Sequence, residues 1–212
     1  MKKYIAEFIG TFAMVFCGTG AIIINQETNG SIGHAGIAIT FGLIVIAMIY
    51  AFGHVSGAHI NPAVTIGFWI TKRFTGKEIL PYICMQFLGG IVASLLLKYL
   101  FPNNINLGAT FPAGSELQSF ILETTLSFIL MLVILYSTEE SNHVNHFAGL
   151  TIGGTVLLEA MFAGPICGAS MNPARSLAPA LVSGNFTSLW VYITAPVLGV
   201  VLASLVRRMR II

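Results

Sequence analysis

The sequence predicts an all-α, multi-pass membrane protein with six transmembrane helices and two short re-entrant half-helices in an inverted repeat. Three observations lead to this fold class. Of the 212 residues, 56% are hydrophobic and 8% are charged, whereas soluble domains carry roughly 25% charged residues. Six apolar stretches are long enough to cross a bilayer, and one short motif occurs twice in apolar surroundings.

A transmembrane helix needs about 20 consecutive apolar residues. Stretches that meet this requirement lie near residues 4–24, 34–54, 79–100, 116–137, 146–164 and 186–207. Loops 25–33 and 101–115 contain no Lys or Arg. Most of the basic residues lie at the two ends of the chain or in the loop near residues 71–78, namely Lys2, Lys3, Lys72, Arg73, Lys77, Arg207, Arg208 and Arg210. Because cytoplasmic loops are enriched in Lys and Arg, we expect both termini to be cytoplasmic, in a protein of the cell (plasma or inner) membrane.

The repeated motif is Asn-Pro-Ala, which occurs as Asn61, Pro62 and Ala63 and again as Asn172, Pro173 and Ala174. Asn is a favoured helix N-cap and Pro is tolerated at the first helical position, so each copy predicts a helix start. The apolar segment from Pro62 to Ile70 reaches about half of a ~30 Å hydrocarbon core at 1.5 Å per residue. A helix that starts at mid-membrane exposes unpaired N–H groups and a positive dipole end, which requires a wet cavity. Two such starts predict a pore.

The two halves of the chain resemble each other. Glu7 lies in an apolar stretch that recurs in weak form around Glu123, at nearly the offset that separates the two Asn-Pro-Ala copies. We therefore predict one channel domain, 1–212, made of two repeats, 1–105 and 106–212. Each repeat has three full spans, an odd number, so the second repeat must enter the membrane from the opposite side, as in inverted-repeat proteins.

The stretches before the motifs are rich in glycine, which suits an irregular backbone. Their carbonyl groups are expected to face the pore, at Gly57, Ala58, His59, Ile60, Gly168, Ala169, Ser170 and Met171. Glu7 and Glu123 are buried carboxylates by position, and we expect them to accept hydrogen bonds from this backbone.

Each motif Asn can cap its own half-helix with its side-chain oxygen, which leaves its NH2 group to donate into the channel. Two such donors would hold a passing water by both lone pairs and hinder proton relay. The positive ends of two converging helices would also oppose cations.

Residues 56–65 and 168–176 together resemble the aquaporin (major intrinsic protein) family. The resemblance implies one pore per subunit and a homotetramer. Arg175 is similar to the filter arginine of that family, and a charge inside an apolar segment normally faces a cavity or a partner. By their spacing from the two Asn residues, Phe41, Ala160 and Ala169 correspond to the other filter positions.

Two positions depart from the better-known filters of the family. Water-selective members usually have His at the position of Ala160, so the Ala predicts a wider and less polar opening. Ser176 stands where glycerol facilitators have Asp after the arginine. Residues 162–177 are most similar to the nodulin-26-like branch and its bacterial relatives.

The expected function is passive passage of water and small uncharged solutes, with protons and ions excluded. The resemblance implies glycerol among these solutes and extends the expectation to metalloid acids such as arsenous or boric acid. One alternative is a water-selective pore with little polyol flux. Another, from a different class, is an ion-coupled secondary transporter, because such transporters share inverted repeats and broken helices.

Other functions are not indicated by the sequence. There is no nucleophile motif, no clustered carboxylate pair and no Cys/His metal spacing, so we predict no enzyme, cofactor or metal. The net charge of +2 is too small to suggest a nucleic-acid partner. Glu159 is unusual beside Ala160, and two roles remain open for it, a structural acceptor or a charge at the outer vestibule.

Overall fold

The computed structural model describes residues 1–139 and 145–209, which contain eight α-helices and one 3-10 turn at Asn145–Phe147. Residues 140–144 and the predicted basic tail residue Arg210 lie outside the described part. The helices are α1 Lys2–Glu27, α2 Gly33–Ser56, α3 Pro62–Ile70, α4 Gly76–Leu100, α5 Glu116–Ser137, α6 Ala148–Cys167, α7 Pro173–Ser183 and α8 Leu189–Arg208.

Six of these helices have 20 or more residues and enough apolar character to span a membrane, which confirms the predicted fold class. Their ends differ from the predicted spans by a few residues. Helix α6 continues past the predicted end at 164 to Cys167 although Pro165 lies inside it. Pro165 has no N–H for the carbonyl of Met161, and the Nε2 atom of His34 lies 2.7 Å from that carbonyl oxygen instead.

The long helices pack in pairs: α1 against α4, α5 against α8, and α2 against α6. Glycines allow these close approaches. A Cβ atom on Gly89 would collide with the backbone of Phe8, and one on Gly199 would collide with the backbone of Thr124. The two crossings are thus built alike in the two halves of the chain.

The short helices α3 and α7 have nine and 11 residues, which at 1.5 Å per residue is about half of a ~30 Å hydrocarbon core. They contact each other inside the bundle. Pro62 and Pro173, the first residue of each, are buried. The two half-helices therefore begin in the interior of the protein rather than in lipid.

Candidate permeation pathway

Both Asn residues of the repeated motif are helix N-caps. The Oδ1 atom of Asn61 accepts a hydrogen bond from the N–H of Ala63 at 2.9 Å. The Oδ1 atom of Asn172 accepts from the N–H groups of Ala174 at 2.9 Å and Arg175 at 3.4 Å. Each side-chain oxygen is therefore used by its own half-helix, as an N-cap requires.

The two motifs are also joined to each other through their amide groups. Asn61 donates from Nδ2 to the carbonyl of Met171 at 2.7 Å, and Asn172 donates from Nδ2 to the carbonyl of Ile60 at 2.9 Å. Because an amide NH2 has two hydrogens, one on Asn61 remains for another acceptor, whereas the Nδ2 atom of Asn172 also lies 3.6 Å from the Sδ atom of Met14, a weak acceptor. The expectation that both NH2 groups are left to donate into the channel is therefore wrong in part, since each group already donates to the opposite loop. The reason is a pair of contacts between residues more than 100 positions apart.

The loops before the half-helices have the same unusual backbone. Gly57 and Gly168 have φ of 85° and 83°, and each is followed by an alanine with positive φ, 45° at Ala58 and 41° at Ala169. Ile60 and Met171 also have positive φ, 43° and 53°. Such conformations cost of order 1–3 kcal/mol for each residue other than glycine and persist when surrounding contacts hold them.

Buried carboxylates supply such contacts. Glu7 accepts hydrogen bonds from four donors, which are His59 N at 2.9 Å, Ile60 N at 2.7 Å, Ser56 Oγ at 2.7 Å and Gln86 Nε2 at 2.8 Å.

Glu123 holds the equivalent loop in the second half of the chain, through fewer hydrogen-bond donors. Its two oxygens accept from Ser170 N at 2.7 Å and Met171 N at 2.8 Å. Each carboxylate thus bonds two successive N–H groups of the adjacent loop.

Arg175 follows the second motif and is 2% exposed. Its Nη1 donates to the carbonyl of Gly108 at 2.8 Å. Its guanidinium carbon lies 5.1 Å from the centre of the Phe41 ring, within the range of a cation–π contact. Gly108 belongs to the long loop between α4 and α5. The sequence offered no signal for this contact because it joins residues far apart in the chain.

Three cavities follow one another through the bundle. A central cavity of about 50 Å³ lies at the two motifs. A cavity of about 400 Å³ adjoins it near Thr110, and we call this the Thr110 mouth. A cavity of about 620 Å³ on the other side is lined by Arg73, and we call this the Arg73 mouth.

Shared lining residues connect the cavities. The four predicted filter residues line both the central cavity and the Thr110 mouth: Phe41, Ala160, Ala169 and Arg175. His59 lines both the central cavity and the Arg73 mouth. The four predicted filter residues therefore surround the junction between one mouth and the narrow centre.

The residues with predicted pore-facing carbonyls are distributed along this path. His59, Ile60, Ala169, Ser170 and Met171 line the central cavity. Gly57 lines the Arg73 mouth and Gly168 lines the Thr110 mouth. Ala58 is buried.

The rest of the lining of the central cavity is apolar and was not singled out from the sequence. It consists of Met14, Val45, Val64, Leu130, Ile134 and Val156. In the sequence these residues are indistinguishable from others in the same apolar helices, because hydropathy does not tell a pore wall from a packed core.

A protein-family model for the major intrinsic protein family matches residues 1–207. The chain belongs to the major intrinsic protein family. Aquaporin NIP1-1 from Zea mays is 46% identical over 202 residues, which cover 95% of this chain and 72% of the maize protein. Nodulin-26 from Glycine max is 42% identical over 202 residues, with 95% and 74% covered.

A solved structure gives the same result. The aquaglyceroporin from Plasmodium falciparum superposes with a TM-score of 0.83 at 30% identity, covering 97% of this chain and 94% of that one. This major intrinsic protein is therefore a multi-pass membrane channel for water and small neutral solutes. The prediction that it is not an enzyme is confirmed, and a transporter driven by ions is not favoured.

Proposed function

We propose that this major intrinsic protein is a passive pore for water and for small hydroxylated solutes, glycerol and metalloid acids such as arsenous or boric acid. The observation that carries this proposal is the composition of the junction between the Thr110 mouth and the central cavity. There Phe41 and Arg175 face two alanines, Ala160 and Ala169. Two small side chains leave space that a larger residue would fill.

The same four residues explain the proposed selectivity. The guanidinium of Arg175 offers hydrogen-bond donors to a hydroxyl oxygen, while Phe41 and the alanines offer an apolar surface to carbon atoms. A neutral polyol satisfies both kinds of contact. A cation would meet the fixed positive charge of Arg175, which is held by the carbonyl of Gly108.

Asn61 and Asn172 act next along the path. In our proposal, the second amide hydrogen of Asn61 donates to the passing water, and that of Asn172 turns from the weak acceptor Met14 Sδ to the same water. Such a water has its lone pairs engaged and cannot accept a proton from a neighbour. The N-termini of α3 and α7 at Pro62 and Pro173 add a positive field at the same place, which disfavours hydronium and metal cations. Ala63 and Ala174 each donate the backbone N–H that the Asn side-chain oxygen accepts, so they fix the geometry of each cap.

The remaining predictions belong to the same proposal. The carbonyls of residues 57–60 and 168–171 serve as acceptors along the path, and Glu7 and Glu123 support the loops that carry them. The domain is two inverted repeats, 1–105 and 106–212. This division is supported by the equivalent helix crossings at Gly89 and Gly199, where each glycine packs against the backbone of the neighbouring helix.

We also propose that the protein assembles as a homotetramer in the cell membrane, with both termini cytoplasmic. The large apolar side chains exposed on the outer faces of the helices require lipid or other subunits around the bundle. The basic loop after α3 supports the orientation.

Stopped-flow light scattering of proteoliposomes tests the proposed solute range. Water, glycerol and arsenous acid are compared with protein-free liposomes at several solute concentrations. We expect all three to cross faster with protein, with a flux that rises linearly with concentration and creates no electrical current. Water flux without glycerol flux would favour the water-selective alternative. Saturable uptake that depends on an ion gradient would favour the transporter.

A further inference from the structure

A chain of three buried hydroxyl groups links the loop between α4 and α5 to the start of α7. The Oγ1 atom of Thr110 donates a hydrogen bond to Ser176 Oγ at 2.8 Å. Ser176 Oγ lies 2.5 Å from Ser170 Oγ, which itself donates to the carbonyl of Asn172 at 3.0 Å. Because a hydroxyl group has one hydrogen, Ser176 is the donor to Ser170. Each hydroxyl hydrogen of the chain is therefore used inside the protein.

The two ends of this hydroxyl chain reach the two cavities that meet at the filter. Thr110 lines the Thr110 mouth, and Ser170 lines the central cavity. Ser176, which joins them, is 1% exposed. The hydroxyl chain thus spans the same junction that the four predicted filter residues surround.

The loop that carries Thr110 also holds the filter arginine. Gly108 lies two residues before Thr110, and its carbonyl accepts a hydrogen bond from Arg175 Nη1 at 2.8 Å. Arg175 directly precedes Ser176. Two hydrogen bonds therefore join residues 108–110 to residues 175 and 176. Because one residue separates Gly108 from Thr110, a loop that moved away from Ser176 would also move the carbonyl that holds the guanidinium.

The first half of the chain has a similar polar contact with a different third partner. Counted from the Asn of each motif, Thr65 occupies the position of Ser176, and His59 that of Ser170. The Oγ1 atom of Thr65 lies 3.2 Å from His59 Nδ1 and accepts from Gln86 Nε2 at 3.0 Å. Gln86 belongs to the long helix α4, whereas the third partner in the second half comes from a loop. The second contact therefore couples a loop to the start of a half-helix.

We propose that Thr110 and Ser176 are positioning residues of the filter, because their hydrogen bond fixes the loop and the loop fixes the carbonyl that holds Arg175. This inference rests on the proposed function, since it takes the junction as the place where solutes are selected. A buried charged donor that loses its acceptor must find another. Phe41 and the two alanines have no side-chain acceptor, so a released guanidinium turns to the solutes and carbonyls of the opening. It then narrows the opening, for glycerol more than for water.

A matched pair of substitutions at Thr110 separates the hydroxyl group from its packing. Thr110→Val keeps the shape and removes the hydroxyl. Thr110→Ser keeps the hydroxyl and removes the methyl group, which packs near Gly168. In stopped-flow measurements on proteoliposomes, we expect Thr110→Val to lower the ratio of glycerol to water permeability at least about threefold, the effect of one hydrogen bond. Thr110→Ser should retain the wild-type ratio. A normal ratio in Thr110→Val, or an equal loss in both variants, would overturn the proposal.

Hydrogen exchange of the loop tests the first step of the inference without any solute. The N–H groups of Ala109 and Ala113 donate to the carbonyls of Asn106 and Ile166, each at 2.9 Å. We expect residues 107–113 to exchange about fivefold faster in Thr110→Val than in the wild type, and at the wild-type rate in Thr110→Ser. Unchanged exchange in Thr110→Val would overturn the proposal. Faster exchange with an unchanged permeability ratio would overturn it as well, because the loop would then move without the filter.

The two readouts also separate this inference from the proposed function. If the wild type passes no glycerol, the proposed solute range fails, and water permeability replaces the ratio. It should then fall about twofold in Thr110→Val and remain normal in Thr110→Ser. Ser176→Ala removes the same hydrogen bond from its other end, so it replaces Thr110→Val if that variant does not fold. Normal water permeability in a variant without the bond would refute the positioning role.

Discussion

Replacing Glu7 by Ala is expected to cost far more stability than replacing Glu123 by Ala, although both carboxylates hold equivalent loops. Glu7 accepts four hydrogen bonds, from His59, Ile60, Ser56 and Gln86. A hydrogen bond to a charged group contributes about 1.5–3 kcal/mol, and a buried donor left unpaired is costly. Loss of all four therefore amounts to about 6–12 kcal/mol, which is comparable with the whole stability of a typical domain, about 5–15 kcal/mol.

Glu123→Ala removes two backbone hydrogen bonds, from Ser170 and Met171, and the weaker contact of the Cys167 thiol, and should cost about 3–6 kcal/mol. Glu116→Ala is the control. Its carboxylate also accepts two hydrogen bonds, from Ser188 and Trp190, but it is exposed. Water can replace those bonds, so the cost should be below about 1 kcal/mol.

The assay is the yield of monodisperse protein after detergent extraction, followed by thermal unfolding of whatever is recovered. We expect no folded Glu7→Ala protein, a clearly lowered midpoint for Glu123→Ala and a midpoint near wild type for Glu116→Ala. If Glu7→Ala were as stable as Glu123→Ala, the count of buried donors would not govern the stability of these loops.

Three further changes probe the pore itself. Ala160→His should lower glycerol permeability at least about tenfold, a barrier increase of about 1.4 kcal/mol, and spare water, as measured by stopped-flow swelling; equal loss of both would contradict the filter assignment. Gly108→Ala places a Cβ atom against the backbone of Thr19, at a residue whose φ is 70°. The carbonyl of residue 108, which holds Arg175, should therefore shift, and water permeability should fall. Ala109→Gly in the same loop is the control. Ala169→Cys should make water flux sensitive to mercurials, whereas the wild type should resist them because Cys167 is fully buried; block of the wild type would show that this thiol is reachable.

Much of the fold was predictable because the signals are local. Each span is a long apolar run, and each half-helix starts at an Asn cap followed by Pro, so the lengths and starts depend on neighbouring residues alone. The ends were less certain. The extension of α6 past Pro165 depends on His34, which lies 127 positions away from Met161 and approaches the carbonyl that the proline leaves unpaired.

The candidate site was predictable to a similar degree. The resemblance to the aquaporin family, applied through the spacing from the two Asn residues, led to Phe41, Ala160 and Ala169, and these line the same junction as Arg175. The carbonyl of Gly108, which holds the arginine, was not predictable, because a loop carbonyl carries no sequence signal.

The sequence by itself determined the membrane environment, the number of spans and the two interrupted helices, since these follow from hydropathy and from N-cap chemistry within a few residues. Tertiary structure alone decided how the halves meet. It paired the amide of each Asn with the opposite loop and gave Glu7 two side-chain amide or hydroxyl donors that Glu123 lacks. It also left Glu159 without a hydrogen-bond partner among the described residues. The physical reason is that a hydrogen bond between distant residues depends on how the helices pack. The packing of helices depends on the whole chain and cannot be predicted from a short stretch of it.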